Sequence, residues 1–191
     1  MIYLYISLFF GLLSLAVGFV IAKSVLTQDP GSQKMQEVSG AIKEGALAYL
    51  RRQVQTMLPF VVVLAIGLFL LYYKTWGTAL AVYLAICFVG GVAASYIAGY
   101  TGMLMAVNGN CRTAAAALTS YKKALETAFR SGSVAGLITV GMGLIGATII
   151  FLAAKGDAMK LLVGFGFGGS LAALFMRVGG GIFTKAADVG A

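Results

Sequence analysis

The sequence predicts an all-α fold, a polytopic bundle of transmembrane helices. Of its 191 residues, 60% are hydrophobic and only 10% are charged, whereas a soluble domain carries about 25% charged residues. The charged residues are clustered, and the stretches between the clusters hold about 20 apolar residues each, enough to cross the hydrocarbon core of a bilayer. These two observations predict a multi-pass membrane protein and exclude an ordinary soluble domain.

Five membrane spans are predicted within a single unit that covers residues 1–191. The first has no basic segment before it and is long enough to span, so we interpret it as a helix and not as a cleaved signal. The second has its apolar part between Leu58 and Tyr73 and is expected to begin upstream, near Ala41, as an amphipathic cytoplasmic helix. The glycine-rich and alanine-rich spans predict close helix packing. The predicted spans are 2–22, 41–73, 78–107, 133–154 and 159–183.

The basic residues predict the orientation of the chain. Eleven of them lie in segments 23–54 and 108–130 or at the end of the fifth span, and three lie on the other side: Lys74, Lys155 and Lys160. The positive-inside rule places the first set in the cytoplasm. The N-terminus is then expected outside and Ala191 inside. Because the basic groups are dispersed, the net charge of +8 indicates topology and not a nucleic-acid partner.

Segment 108–117, with the sequence NGNCRTAAAA, is predicted to break the third helix, because Asn and Gly end helices and the alanine run begins a new one. Arg112 in this break would lie at a lipid headgroup or meet a phosphate. Cys111 is placed in the polar loop and Cys87 in a span, so no disulfide is expected between them. The absence of histidine excludes sites built on that residue.

Segment 141–146, GMGLIG, fits the GxGxxG pattern but lies inside an apolar span. A dinucleotide site needs a strand before the glycines and an acidic residue about 20 positions later. We therefore interpret these glycines as helix-packing residues.

The end of the fifth span carries the strongest functional signal. On one helix, Arg177, Thr184 and Asp188 form a stripe with Lys185 at its edge; Lys185 lies about 12 Å and Asp188 about 16 Å beyond Arg177. An arginine inside a span is costly and is usually functional or paired, and the alternative for Arg177 is a side chain that extends to the membrane interface. No acid in the five spans lies at its depth, so its partner is expected from other helices. A Lys/Asp pair at the membrane surface can face a metal-bound polyanion.

The segment 179–191, GGGIFTKAADVGA, resembles the signature of the membrane-bound, ion-translocating pyrophosphatases. Two further segments are similar to strings of the same family: 44–53, EGALAYLRRQ, and 109–114, GNCRTA. The resemblance extends over essentially the whole chain. That family forms homodimers with roughly sixteen spans per subunit, each of about 20 apolar residues. The chain is therefore expected to be an N-terminal fragment, about the first third, that stops within the motif.

The resemblance implies an enzyme that hydrolyses inorganic pyrophosphate and couples this to H⁺ or Na⁺ translocation from the cytoplasm. It implies that Lys185 binds the substrate, that Asp188 binds Mg²⁺, that Arg177 belongs to the ion gate and that Arg112 has a supporting role. Mg²⁺ and K⁺ are the implied cofactors. The implied location is a bacterial, archaeal or acidic-organelle membrane. The catalytic base and the remaining carboxylates are expected downstream, so the fragment alone is expected to be inactive.

Two other interpretations remain open at this stage. The chain could be a non-enzymatic five-span transporter or channel subunit, in which Arg177 and Lys185 line an anion path. It could also be a membrane assembly subunit whose glycine-rich faces only pack against partners. Neither explains the specific string at residues 179–191.

Overall fold

The computed structural model describes the backbone of residues 2–190 and the side chains of residues 2–181, 185 and 189. This part of the chain is helical and contains no strand, which confirms the predicted all-α class. The elements in chain order are α1 (Ile2–Leu26), α2 (Gln33–Trp76), α3 (Thr78–Ala117), α4 (Tyr121–Ala154), a single 3₁₀ turn (Lys155–Asp157) and α5 (Ala158–Gly190).

The helices run up and down, and α3 lies at the centre. It packs against α2, α4 and α5, while α1 lies at the edge against α4. The order of the contacts shows that α3 and α5 are parallel, because Leu84 faces Gly164 and Gly99 faces Met176. Buried Phe88, Val92 and Ala172 form the core between α2, α3 and α5. The core thus centres on the pairing of α3 with α5.

By length and hydropathy, four stretches of the described chain could cross a membrane. They are Ile2–Leu26, Gln33–Trp76, Thr78–Ala117 and Tyr121–Gly181. The last stretch holds both α4 and α5, since only the short 3₁₀ turn separates them. Each of the five predicted spans lies within one of the five helices.

Glycines allow α3 and α5 to touch through their backbones. A Cβ atom on Gly168 would overlap the carbonyl oxygen of Phe88, and one on Gly91 would overlap that of Phe165. A Cβ atom on Gly164 would lie 2.7 Å from the carbonyl oxygen of Leu84. Small residues at these positions are what permits membrane helices to approach so closely.

The GxGxxG glycines of α4 contribute to helix packing, as the sequence predicts. A Cβ atom on Gly141 would lie 2.6 Å from Leu15 Cδ2 in α1, and one on Gly146 would overlap the ring of Phe165 in α5. A Cβ atom on Gly143 would meet no heavy atom within 4 Å. The spacing therefore serves two helix contacts on different faces of α4.

Helix α2 begins earlier than predicted. Its first residue is Gln33 and not a residue near Ala41. Ser32 is the N-cap, and its Oγ atom accepts a hydrogen bond from the amide of Met35 at 3.4 Å. The cap satisfies an orphan amide of the first turn, so the polar N-terminal part of α2 is two turns longer than the apolar pattern indicates.

The predicted break at residues 108–110 is wrong, because α3 continues to Ala117. Asn108 donates from Nδ2 to the carbonyl oxygen of Leu104 at 2.7 Å, within its own helix. A Cβ atom on Gly109 would overlap Ser131, whose Oγ donates to the carbonyl oxygen of Met105 at 2.8 Å. Gly109 thus serves the contact with α4, and this packing overrides its low helix propensity.

Cys111 lies in this continuous helix and not in a loop. It is buried, and its Sγ atom donates to the carbonyl oxygen of Pro30 at 2.9 Å. Cys87 lies on the same helix, about 36 Å away at 1.5 Å per residue. This separation excludes a disulfide between the two within one chain.

At the opposite end of the bundle, aromatic and charged groups link α2 to α5. The rings of Tyr72 and Trp76 stack with their centroids 4.1 Å apart. Lys160 Nζ lies 5.5 Å from the centroid of the Trp76 ring and 2.8 Å from a carboxylate oxygen of Asp157. Trp and Tyr of this kind are typical of the interface between a membrane and water.

Candidate functional site

Helix α5 carries three of the predicted site residues, Arg177, Lys185 and Asp188, and continues through the three glycines at 179–181. A Cβ atom on Gly179 would overlap the hydroxyl oxygen of Tyr49 in α2, so the tyrosine ring lies directly on the backbone of α5. A Cβ atom on Gly180 or Gly181 would meet no heavy atom within 4 Å. Among the described side chains, close packing is therefore seen at Gly179.

Arg177 lies at a cavity of about 750 Å³ between α3, α4 and α5. The wall is mostly glycine and alanine, with the hydroxyl groups of Ser95, Thr139 and Ser170 among them. The guanidinium group is exposed, and the structure gives it no hydrogen bond or ion pair to another described residue. Within the low dielectric of a membrane, such a cation would attract an anion more strongly than it does in bulk water.

Lys185 lies eight residues beyond Arg177, which is about 12 Å along the helix axis. Its side chain is exposed and has an interaction partner within the protein. The side chains of Thr184 and Asp188 lie outside the described residues. The backbone of α5 is helical over this whole stretch, as the predicted stripe requires, while the role of Asp188 stays a prediction.

The described side chains do not form a metal site by themselves. No group of three or more Asp, Glu, Cys or His side chains comes together among residues 2–181, 185 and 189. A hard cation such as Mg²⁺ needs oxygen ligands, and proteins supply them chiefly as carboxylates. Any site at Asp188 would therefore need ligands from outside this part of the chain.

Arg112 fixes the end of α1 against α3. Its Nη1 donates to the carbonyl oxygen of Asn108 at 2.9 Å, and its Nη2 donates to that of Leu26 at 2.8 Å. In the parallel register of α3 and α5, Arg112 lies near the level of the C-terminal end of α5. Its guanidinium group, however, caps the last turn of α1, where free carbonyl groups need donors.

Two residues next to α5 escaped the sequence analysis as individual candidates. Tyr49 packs on Gly179, and Gln53 is 7% exposed between α2 and α5. Both lie in the EGALAYLRRQ segment, which is similar to a string of the pyrophosphatase family but was given no functional role in the sequence analysis. Their contact with α5 depends on how the two helices are paired, and no local pattern reports that pairing.

The long apolar helices, the up-and-down arrangement and the charge-poor composition define a multi-pass integral membrane protein. A model of the family described as inorganic H⁺ pyrophosphatase matches residues 12–191, and the chain belongs to this family. Several relatives of the chain are named K(+)-insensitive pyrophosphate-energized proton pumps. That of Chloroflexus aurantiacus is 48% identical, with 94% of this chain and 25% of the relative covered.

The pump of Methanosarcina mazei is 47% identical over 95% of this chain and 26% of its own length. That of Caldanaerobacter subterraneus is 39% identical over 98% of this chain and 29% of its own length. The chain thus spans about a quarter of the length of the curated relatives it matches.

Proposed function

We propose that the chain acts as the first part of a pyrophosphate-energised proton pump. The observation that carries the proposal is the family match over residues 12–191, together with the names of the relatives. Family membership also argues against the two open alternatives, a channel subunit and an assembly subunit, since the similar proteins are named as pumps.

In this proposal the cytoplasmic end of α5 binds the substrate. Pyrophosphate is a polyanion, and Lys185 would neutralise charge that develops as the bridging bond breaks. Asp188 would supply one carboxylate for Mg²⁺, an ion that polarises phosphoryl oxygens when it is bound. The base that activates water and the other carboxylates would come from the rest of the protein. The chain by itself is then inactive.

Arg177 would act in the ion path beneath the substrate. It lies about 12 Å from Lys185 along α5, at a cavity between three helices. In a low dielectric, a change of charge at the substrate alters the energy of such a cation over this distance.

The names of the relatives guide the choice of ion. They support H⁺ over Na⁺, and they support an activity that does not require K⁺. A pump that contains this chain should hydrolyse pyrophosphate equally fast in potassium and in choline salts. A strong stimulation by K⁺ would contradict this part of the proposal.

The orientation and the assembly belong to the same proposal. The basic ends of α1, α3 and α5 would face the cytoplasm, with the N-terminus outside, in a bacterial or archaeal cell membrane. The family resemblance supports a homodimer.

The test uses a chimaera in which this chain replaces the matching quarter of the Chloroflexus aurantiacus pump. Lys185→Ala should lower kcat/KM for Mg²⁺-dependent pyrophosphate hydrolysis about 100-fold or more, the usual effect of removing one charge-stabilising group. Lys122→Ala, which removes an exposed lysine of α4, is the control and should leave hydrolysis unchanged. Equal activity of the two variants would contradict the substrate role of Lys185.

A further inference from the structure

A groove between α2 and α5 has a buried amide at its wall. The groove has a volume of about 380 Å³ and is lined mainly by apolar groups, among them Leu174, Phe175 and Val178. Gln53 also lines it and is 7% exposed. Neither Nε2 nor Oε1 of Gln53 has a hydrogen-bond partner within the described part of the chain.

An amide in this situation needs a partner. Gln can donate two hydrogen bonds and accept two, and burying such a group without partners is unfavourable. The neighbouring Thr56 cannot serve as the donor, because its Oγ1 already donates to the carbonyl oxygen of Arg52 at 3.0 Å. Because both polar atoms of the Gln53 amide lack a partner among the described residues, the partner is expected from outside them.

The surroundings of Gln53 indicate what the partner is. Leu174 and Val178 are 60% and 57% exposed, so the groove presents apolar side chains that a membrane helix could cover. Arg52 is exposed at its rim, which disfavours a cationic partner. The Gln53 amide is itself neutral. The relatives are about four times as long as this chain, so helices that could cover the groove exist in the longer proteins.

We propose that this groove receives a membrane-spanning helix from the rest of the full-length protein, and that this helix presents a neutral amide or hydroxyl side chain to Gln53. Polar side chains commonly form such hydrogen bonds between helices in membranes. Gln53 is then a residue that selects the partner helix. The inference rests on the proposed function only in assuming that the chain works within a longer pump.

The decisive experiment compares Gln53→Leu in two proteins, this chain and the chimaera, by thermal unfolding in detergent. In this chain the substitution removes a buried amide that has no partner, so the unfolding midpoint should rise by about 2–4 °C. In the chimaera the same substitution leaves the partner side chain without its hydrogen bond, so the midpoint should fall by a similar amount. The control is Gln55→Leu, which changes an exposed glutamine on the same helix and should not reverse sign.

A second variant tests occupancy of the groove itself. Thr56→Trp would fill part of the groove from its α2 side, so it should lower the midpoint of the chimaera and leave that of this chain nearly unchanged. A rise with Gln53→Leu in both proteins, or no change in either, would overturn the proposal. A fall in both that depends on protein concentration would assign the groove to a second copy of this chain and would overturn it too.

These measurements of stability are independent of catalysis. If the chimaera unfolds as predicted but does not hydrolyse pyrophosphate, the proposed function fails and the docking of a helix at Gln53 stands. If hydrolysis is present but the sign of the shift does not reverse, the docking fails and the proposed function stands.

Discussion

The guanidinium group of Arg112 in α3 donates hydrogen bonds within α3 and to the end of α1, so its removal should lower the stability of the protein. Arg112→Ala deletes two hydrogen bonds, to the carbonyl oxygens of Leu26 and Asn108. One hydrogen bond from a charged donor contributes about 1.5–3 kcal/mol to stability. For the loss of both bonds together, we expect the free energy of unfolding of this chain to fall by about 1.5–3 kcal/mol, measured by thermal unfolding.

The control for Arg112→Ala is Arg130→Ala, since Arg130 is an exposed residue of α4 and its loss should have little effect. If both variants unfold alike, Arg112 does not hold the end of α1. A supporting role near the substrate would appear separately, as a raised KM for pyrophosphate in the chimaera.

Substitution of Arg177 should uncouple proton transport from pyrophosphate hydrolysis. In the chimaera, Arg177→Ala should reduce H⁺ uptake per pyrophosphate hydrolysed, because the cation that responds to charge in the cavity is gone. The measurement is proton uptake by vesicles with phosphate release recorded in parallel. An unchanged ratio of uptake to hydrolysis would exclude Arg177 from the ion path.

The sequence alone singled out Arg177 and Lys185 as candidates, since a charged residue in an apolar helix is conspicuous by its type and spacing. It could not identify Tyr49 or Gln53 as neighbours of α5. Their environment is created by the pairing of α2 with α5, and nothing in the local sequence of either helix reports that pairing.

At the scale of elements, the contact between α3 and α5 depends on glycines. Gly168→Ala places a Cβ atom against the carbonyl oxygen of Phe88, and overpacking of this kind costs about 1–3 kcal/mol. We therefore expect Gly168→Ala to lower the unfolding midpoint of this chain. The matched control is Gly166→Ala on the same helix, where a Cβ atom would meet no heavy atom within 4 Å.

For Gly166→Ala we expect a midpoint equal to or above that of the unchanged chain, because alanine favours a helix over glycine by about 0.5–1 kcal/mol. A fall of the same size in both variants would mean that helix flexibility, and not close packing, explains the glycines.

The helices themselves were predictable because long apolar stretches dominate the sequence. The break at 108–110 was predicted wrongly, since Asn108 and Gly109 are weak helix formers whose roles are set by contacts. Asn108 bonds within its helix and Gly109 admits Ser131 of α4. The start of α2 was predicted too late for a related reason. Ser32 caps the polar first turns of α2, and these turns lack the apolar residues from which the span was predicted.

For the whole molecule, the central expectation is an up-and-down bundle with its basic ends in the cytoplasm. Leu118, between α3 and α4, is 79% exposed, and Gly156 lies in the turn between α4 and α5. The test uses cells that produce the protein with Cys87 and Cys111 replaced by alanine. A membrane-impermeant thiol reagent added outside these cells should label a Gly156→Cys variant. It should label Leu118→Cys only after the membrane is opened, and the reverse pattern would invert the topology.

At this scale the sequence predicted the class of fold and the family, because composition and a specific C-terminal string report both. The arrangement around the site was less accessible. Arg177 and Lys185 lie on one helix, so their spacing could be worked out, whereas the cavity between α3, α4 and α5 arises only from the packing of three helices.

The central claim is that this chain supplies an essential part of a pyrophosphate-driven proton pump. The most direct test measures pyrophosphate-dependent proton uptake by vesicles that contain the remaining three quarters of the Chloroflexus aurantiacus pump, with and without this chain supplied as a second polypeptide. We predict uptake, and Mg²⁺-dependent phosphate release, only when both polypeptides are present, and loss of both signals with Lys185→Ala. Equal activity without this chain, or none from either the pair or the joined chimaera, would contradict the account.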